Sequence, residues 1–439
     1  MVRRGLAGRI ASAKGGIWPT AFPGLGSHRN PKLIFLTGVA SIMRLPVFLL
    51  FFATAAFGQD LSENSIGVAF RRFDSNSDGE LTVAEMIAAG RKTSWIGLAD
   101  TDKNGSVNKT EAVAFFDRKK QEGDSVFEQT EIIHEIPGNS PVRLEGLRKA
   151  AEYSAGQNGH SFLVAVDGKV IYERYDGGWK SDQSHRLASG TKSFSAALLA
   201  AAVKDGLLSS IDEPVADAIE EWRENETLKV ITYRNLLDLS SGLEPGGVGR
   251  VPDYSVVHSM KSLSPPGEKF RYGPNAFQVF GEALRRKLQA RPEFEFEDPL
   301  AYLEARVFDP IGLHYGAWRR DEGGMPHLPS GAFLTAAEWW KYGEFIRLGG
   351  SWGGKELVDT ATLQECVRPS RTNPSYGITF WMLNNRNGEP ATGEGGYMAA
   401  GAGKQRLYIL PEKKMVIVRQ GESRKLENTR LLSFLFSKK

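Results

Sequence analysis

The chain has 439 residues, too many for one ordinary core, so two or three folding units are expected. With 41% hydrophobic and 24% charged residues it has the composition of a globular protein. The net charge of +3 comes from residues 1–59, which hold seven basic side chains and no acidic one. The remainder is −4, so no basic face argues for a nucleic-acid partner.

Taken in chain order, the first element is a leader over residues 1–58. Met43 and Arg44 precede an apolar run, Leu45–Phe57, and Ala56-Phe57-Gly58 supplies small residues at −3 and −1 for cleavage before Gln59. That run is shorter than the roughly 20 residues needed to span a bilayer. It reads as a secretory signal starting at Met43. A second reading joins Leu33–Ile42 to Leu45–Phe57 as an N-terminal membrane anchor. Both export the rest of the chain, to the periplasm or beyond. The single cysteine, Cys366, cannot form an internal disulfide and reads as a buried free thiol.

Residues 59–118 carry two acidic loops. In "DSNSDGELTVAE", Asp74, Asn76 and Asp78 offer oxygens at positions 1, 3 and 5, and Gly79 permits the turn at 6. Glu80 contributes its carbonyl at 7, and Glu85 a bidentate carboxylate at 12. "DTDKNGSVNKTE" repeats the pattern with Asp100, Asp102, Asn104, Gly105, Ser106 and Glu111. Six to eight hard oxygens without sulfur or imidazole suit Ca2+, so an α-helical EF-hand pair with two calcium sites is expected. The loops start only 26 residues apart and lack a Met-rich groove. Structural calcium or calcium-dependent docking is therefore expected rather than a sensor switch. The stretch 119–144, ending at "IPGNSP", reads as a linker.

The last unit, 145–439, opens with "SFLVAVDGKVIYERY", two apolar runs joined by Asp167-Gly168, a hairpin signal. "KQRLYILPEKKMVIVRQG" repeats the pattern at 404–421, and an apolar-periodic stretch from about Glu427 to Ser437 reads as a helix. Helical patterns fill the interval. An antiparallel sheet flanked by helices, with a helical subdomain, is expected: an α+β fold.

Within it, "HRLASGTKSF" puts Ser189 three residues before Lys192, at the head of an Ala/Leu-rich helix ended by Gly206. Taken alone, the pair is a capping serine and a solvated lysine. On a buried helix the hydroxyl and amine share one face, and desolvation pushes the lysine toward its neutral, proton-accepting form. The other Ser-x-x-Lys, Ser106 to Lys109, is explained by the second calcium loop. Tyr272 stands in a Gly/Pro-rich loop ahead of a helix from Asn275, a position that by itself means packing. "GGYMAAGAGKQ" (395–405) places small residues before a strand, where a backbone N–H comes within reach of a substrate.

These segments together resemble the β-lactamase-related serine hydrolases: the class C β-lactamase, DD-peptidase and esterase superfamily. "HRLASGTKSFSAAL", "LKVITYRNLLDLSSGLEP" (228–245), "FRYGPNAFQVFGEAL" (270–284) and "SGAFLTAAEWWKYGEFIRLGG" (330–350) carry the likeness in order. The resemblance implies a β-lactamase/transpeptidase-like fold, with Ser189 as acyl-forming nucleophile and Lys192 as its base. It makes Tyr272 the proton relay to the leaving group. The Ser189 N–H and one from Ala399–Ala402, assigned to Ala402, would hold the oxyanion. No cofactor is implied for catalysis.

Two departures bear on the substrate. The segment reads Tyr272-Gly273-Pro274 with Asn275 one position late, and Gly396-Tyr397-Met398 stands where a Lys-Thr-Gly would hold a β-lactam carboxylate. A small ester or amide is the expected substrate, as in relatives resembling 6-aminohexanoate-dimer hydrolase. The alternatives are a DD-peptidase or β-lactamase acting on peptidoglycan-type amides, and a non-catalytic cell-wall-binding protein at the cell envelope. His185 and His314 read as structural, and no Gly-x-Ser-x-Gly supports a Ser/His/Asp site.

Overall fold

The computed structural model describes residues 70, 73–88, 96–123, 129–247, 249–383 and 395–436; the leader, and with it the signal-peptide and anchor readings, lies outside them. In the first described unit, β1 (Glu80–Thr82) pairs antiparallel with β2 (Ser106–Asn108), Leu81 opposite Val107, both fully buried. Gly79 and Gly105 sit at φ +84° and +92°, where a side chain is disfavoured. Helices Val83–Ala88 and Lys109–Gly123 follow the loops, and the second runs five residues past the expected boundary at 118.

The second described unit is built on one antiparallel sheet. Its strands are β3 (Thr130–Ile133), β4 (Gly159–Val166) and β5 (Lys169–Tyr175). Short strands β6 (His185–Arg186), β7 (Ala317–Trp318) and β8 (Ala332–Leu334) form a separate three-stranded sheet, and β9 (Ser351–Trp352) with β10 (Lys355–Glu356) a hairpin. Strands β11 (Trp381–Met382), β12 (Tyr397–Gly401), β13 (Gln405–Leu410) and β14 (Met415–Gly421) complete the main sheet. Its order is β11-β12-β13-β14-β4-β5-β3. The expected linker 119–144 is thus corrected: β3 lies inside it and pairs with β5, Ile133 opposite Tyr172. An edge strand needs one partner and no buried face, so its sequence signal is weak.

Both faces of the sheet are covered, which explains the unbroken apolar runs. In β4, Phe162, Val164 and Val166 face helices Leu144–Gly156 and Asn428–Phe436, while Leu163 and Ala165 face the other side with helices Phe194–Lys204 and Ala336–Arg347. The β4–β5 turn uses Asp167 and Gly168 at φ 49° and 77°, the left-handed pair its right-handed twist prefers. Helix Phe194–Lys204 is buried from Phe194 through Ala202 and stops at Gly206, φ +69°. Each fully buried Leu or Phe there contributes roughly 1.5–3 kcal/mol. The helical part includes Tyr233–Leu237, started by a reciprocal Thr232–Asn235 capping box, and Asn275–Gln289. No helix among the described residues is long and apolar enough to cross a membrane.

Candidate active site

Ser189 lies in a 3-10 turn, Ala188–Ser193, one turn ahead of the buried helix and not in its first turn as expected. Three features mark this turn. Leu187 donates its N–H to the Ala332 carbonyl at 3.0 Å. Ala188 is kept at φ +49°, a conformation unfavourable for alanine that surrounding packing must impose. Gly190 lies under Trp339, where an added Cβ would sit 2.9 Å from the indole.

Lys192 is 4% exposed, and its Nζ donates to Ser189 Oγ at 3.2 Å and to the Pro329 carbonyl at 3.1 Å. Burial pulls its pKa down to about 7. The Tyr272 and Phe277 rings, 5.0 and 5.3 Å from Nζ, partly offset this by favouring the ammonium. Burial raises the Tyr272 phenol, and the Ser189 hydroxyl and the Arg406 guanidinium draw it back down. Ser189, Lys192 and Tyr272 share one cleft with Val251, Pro274 and Pro329, whose inner space is about 20 Å³. A hydroxyl with a near-neutral amine and a phenol beside it is equipped for acyl transfer.

The two sequence departures have structural reasons. Asn275 does not face this cleft: its Nδ2 donates to the Glu244 carbonyl at 2.9 Å, and its Oδ1 fills the space beside Gly246. Gly273 passes so close to Pro245 that a Cβ would lie 1.8 Å from the carbonyl oxygen. At 396–398, Gly396 packs against Leu410, and Tyr397 and Met398 point into opposite cores. None carries a charge.

Ala402 lies in the exposed turn beyond the last β12–β13 pair, Gly401 with Gln405. The phase of the β12 ladder follows from its first bond to the neighbouring segment. Leu383 donates to the Gly396 carbonyl at 2.9 Å. Because main-chain groups alternate sides along a strand, Gly396, Met398 and Ala400 all point toward β11. That strand begins opposite Met398, since Thr379 turns away at φ +75° to bond the Leu237 carbonyl. Ala400 therefore presents its N–H and C=O at an open edge. Gly401 beside it touches the turn that carries Ser189: a Cβ there would lie 2.0 Å from the Leu187 carbonyl oxygen.

Four contributors were not singled out by sequence: Val251, Pro329, Trp381 and Arg406. Pro329 precedes a quoted segment, but a carbonyl acceptor has no residue signature. Arg406 is 7% exposed with no carboxylate among its hydrogen-bond partners, the Gly401 and Gln405 carbonyls and Asn428. A strand arginine within an apolar run was the available signal.

Elsewhere, His185 is buried against His160 (His185 Nε2 to His160 Nδ1, 3.2 Å), with Trp179 stacked on His160 and tilted against His185. The His314 backbone N–H donates to Glu338, and the thiol of Cys366 is fully buried. In the calcium-like loops, Asp74 accepts from the N–H groups of Asp78 and Gly79, and Asp100 from those of Asn104 and Gly105. Oxygens of Asp100, Asp102 and Glu111 lie within 4.8 Å of one another. Asn76 bonds Asp78, and the Ser106 hydroxyl bonds Glu80 across the pair at 2.9 Å. Glu85 and Glu111 are held ionised, at about 2, chiefly by the Thr82 N–H and the Thr101 hydroxyl respectively.

Comparison with known proteins bears on the family and the fold. The model of the family described as Beta-lactamase matches residues 147–421. Similar solved structures include a candidate 6-aminohexanoate-dimer hydrolase from Bacillus anthracis (TM-score 0.54, 20% identity, 64% of this chain and 79% of that one). A penicillin-binding protein homologue from Caulobacter crescentus follows (0.52, 17%, 66% and 94%). EstCE1, a hydrolase with promiscuous acyltransferase activity, is a third (0.53, 15%, 66% and 96%). At such identities the structural likeness speaks for the fold alone. No curated protein matches the sequence. With the family model covering more than half of its length, the chain belongs to the Beta-lactamase family, whose members are serine hydrolases.

Proposed function

We propose that the chain is an exported, calcium-binding serine hydrolase that cleaves a small carboxylic ester or amide through an acyl-Ser189 intermediate. The observation that carries this reading is Lys192, buried to a pKa of about 7 with its Nζ 3.2 Å from Ser189 Oγ. Neutral Lys192 takes the hydroxyl proton as Oγ adds to the substrate carbonyl. The Ser189 and Ala400 N–H groups receive the oxyanion. Tyr272 gives its proton to the departing oxygen or nitrogen and is reprotonated from Lys192, leaving acyl-Ser189. Water then adds to the acyl carbon, its proton passing to Tyr272 and Lys192; these return it to Ser189 Oγ as the acyl C–O bond breaks and the acid is released.

Ester or small-amide turnover is favoured over β-lactam hydrolysis by the uncharged Gly396–Met398 register. A 4-nitrophenyl ester is therefore expected to turn over well and nitrocefin poorly. The decisive measurement is labelling with a fluorophosphonate probe. Wild type labels and Ser189→Ala does not; equal labelling removes Ser189 as nucleophile. Complete failure of serine-directed probes on the wild type brings forward the binding-protein reading.

The oxygen-only donor set in both loops fits Ca2+, with Asp74, Asn76, Asp78, Glu80 and Glu85 holding one ion and Asp100, Asp102, Asn104, Ser106 and Glu111 the other. The charge and order it supplies would be structural. Export rests on the leader, and a mature N-terminus at Gln59 is its test.

A further inference from the structure

A pair of histidines lies apart from the cleft, where β4, β14 and β6 meet. At the start of β4, Gly159 pairs with Gly421 and Ser161 with Gln420, so His160 is the extra residue of a bulge. Its ring meets His185 of β6, the strand that leads into the Ala188–Ser193 turn. Both side chains are buried.

The two rings have the spacing of imidazoles that share one ion. His160 Nδ1 and His185 Nε2 are 3.2 Å apart, and the ring centroids 5.3 Å. Two imidazoles bound at about 2.05 Å to a tetrahedral ion place their nitrogens about 3.3 Å and their centroids about 5.2 Å apart. Trp179 stacks on the face of His160 and leans against His185, leaving the nitrogen-bearing edges turned toward each other. His185 gives its Nδ1–H to the Arg186 carbonyl at 3.2 Å, the kind of anchor that orients a ligating histidine and leaves Nε2 its lone pair. Burial lowers both imidazoles, His160 to about 3, so protons do not occupy those lone pairs at neutral pH.

A hydrogen bond between the rings also accounts for 3.2 Å, but it leaves a neighbouring oxygen unexplained. Gln420, opposite Ser161, gives its Nε2–H to the carbonyl of Leu334, the residue paired with His185. Its Oε1 is buried with no hydrogen-bond partner. The field at the pair is mixed: Arg419 opposes a cation and Glu422 favours one.

We propose that His160 Nδ1 and His185 Nε2, with Gln420 Oε1 as third donor and water completing the shell, bind a divalent ion of the Zn2+ class. The ion would tie β6 to the main sheet just ahead of Ser189. Imidazole nitrogen suits Zn2+, whereas Ca2+ takes oxygen ligands and does not compete. The proton shared between the rings moves, by exchange with water, to His160 Nε2, so none is released.

The test uses the untagged chain saturated with Ca2+, so that the acidic loops are filled, and Co2+ as a coloured probe for the Zn2+ site. Four-coordinate nitrogen ligation gives strong visible bands and six-coordinate oxygen ligation weak ones. A strong band is expected at one Co2+ per chain, bleached by Zn2+. His160→Gln and His185→Gln are each expected to lose it and to weaken Zn2+ binding at least about 10²-fold, while His134→Gln, at an exposed position, keeps it. A second readout needs no variant: 15N spectra of the wild-type histidines should show one ring pass from the Nδ1–H to the Nε2–H form on adding Zn2+. No strong band, no change of tautomer, or a band that survives both buried-histidine variants overturns the proposal and leaves a hydrogen-bonded pair. None of these outcomes depends on acylation of Ser189.

Discussion

In the proposed reaction the chemistry turns on Lys192, because a lysine at its ordinary pKa would be protonated and useless as a base. Burial among Phe277, Tyr272 and the nucleophile turn brings it to about 7. kcat/KM on a neutral ester is then expected to rise as pH passes through about 7 and to level above it, as the free enzyme loses that proton. Lys192→Arg, which keeps its charge at every accessible pH, is expected to lose about 10³-fold, flat across the range. Stability carries the same signature. Between about 7 and 10.5 the unfolded chain binds a proton that the folded chain does not, so stability rises with pH across that window. The full cost of burying the ammonium is present below about 7. Lys192→Met is thus expected to melt higher than wild type at pH 6, with the gap closing toward pH 10; a constant gap would assign it to packing instead. The Ser-x-x-Lys spacing was legible in sequence, yet it occurs twice. Only the buried helix separates Ser189 from Ser106, whose hydroxyl merely bonds Asn104 and Glu80.

At the scale of elements, the site depends on how closely β12 approaches the Ala188–Ser193 turn. Gly401 is the point of contact, and its lack of a side chain answers a shortage of space, since a Cβ would meet the Leu187 carbonyl at 2.0 Å and the Gly190 nitrogen at 3.0 Å. Two buried arginines hold the adjoining turn from behind. Arg406 bonds the Gly401 and Gln405 carbonyls, and Arg419 bonds those of Gly403 and Lys404. They face each other across β13 and β14. Like charges so placed repel, and Arg419 falls to about 10, mainly from burial. Gly401→Ala is expected to displace the strand edge by a fraction of an ångström or more, lowering kcat/KM on an ester about 10²-fold with a loss of roughly 1–3 kcal/mol in stability. Unchanged kinetics would mean that the edge is not part of the machinery. The small-residue run was readable as a place of close approach. Which of its N–H groups faces outward was not, because it depends on ladder phase, set by the Leu383–Gly396 bond on a different strand.

For the molecule as a whole, hairpins and buried runs announced the sheet because both faces are packed, whereas β3 escaped notice as a polar-flanked edge. The two acidic loops are expected to bind calcium for a different reason: each loop position has a fixed chemical duty in the motif. The pair is closed by β1 and β2, with Leu81 against Val107. Its carboxylates are brought together at Asp100, Asp102 and Glu111, and Glu85 and Glu111 stay ionised down to about pH 2. Like charges at such spacing oppose folding until a cation joins them. Adding Ca2+ to 100 times its Kd would then stabilise the pair by about 2.7 kcal/mol. Calorimetry in EGTA and in millimolar Ca2+ is expected to move one transition upward, and Glu85→Gln with Glu111→Gln is expected to abolish that movement. If the ions are structural only, fluorophosphonate labelling of Ser189 proceeds at one rate in both buffers. A labelling rate that follows calcium would instead couple the loops to the cleft, and no shift in any transition would remove calcium from the account.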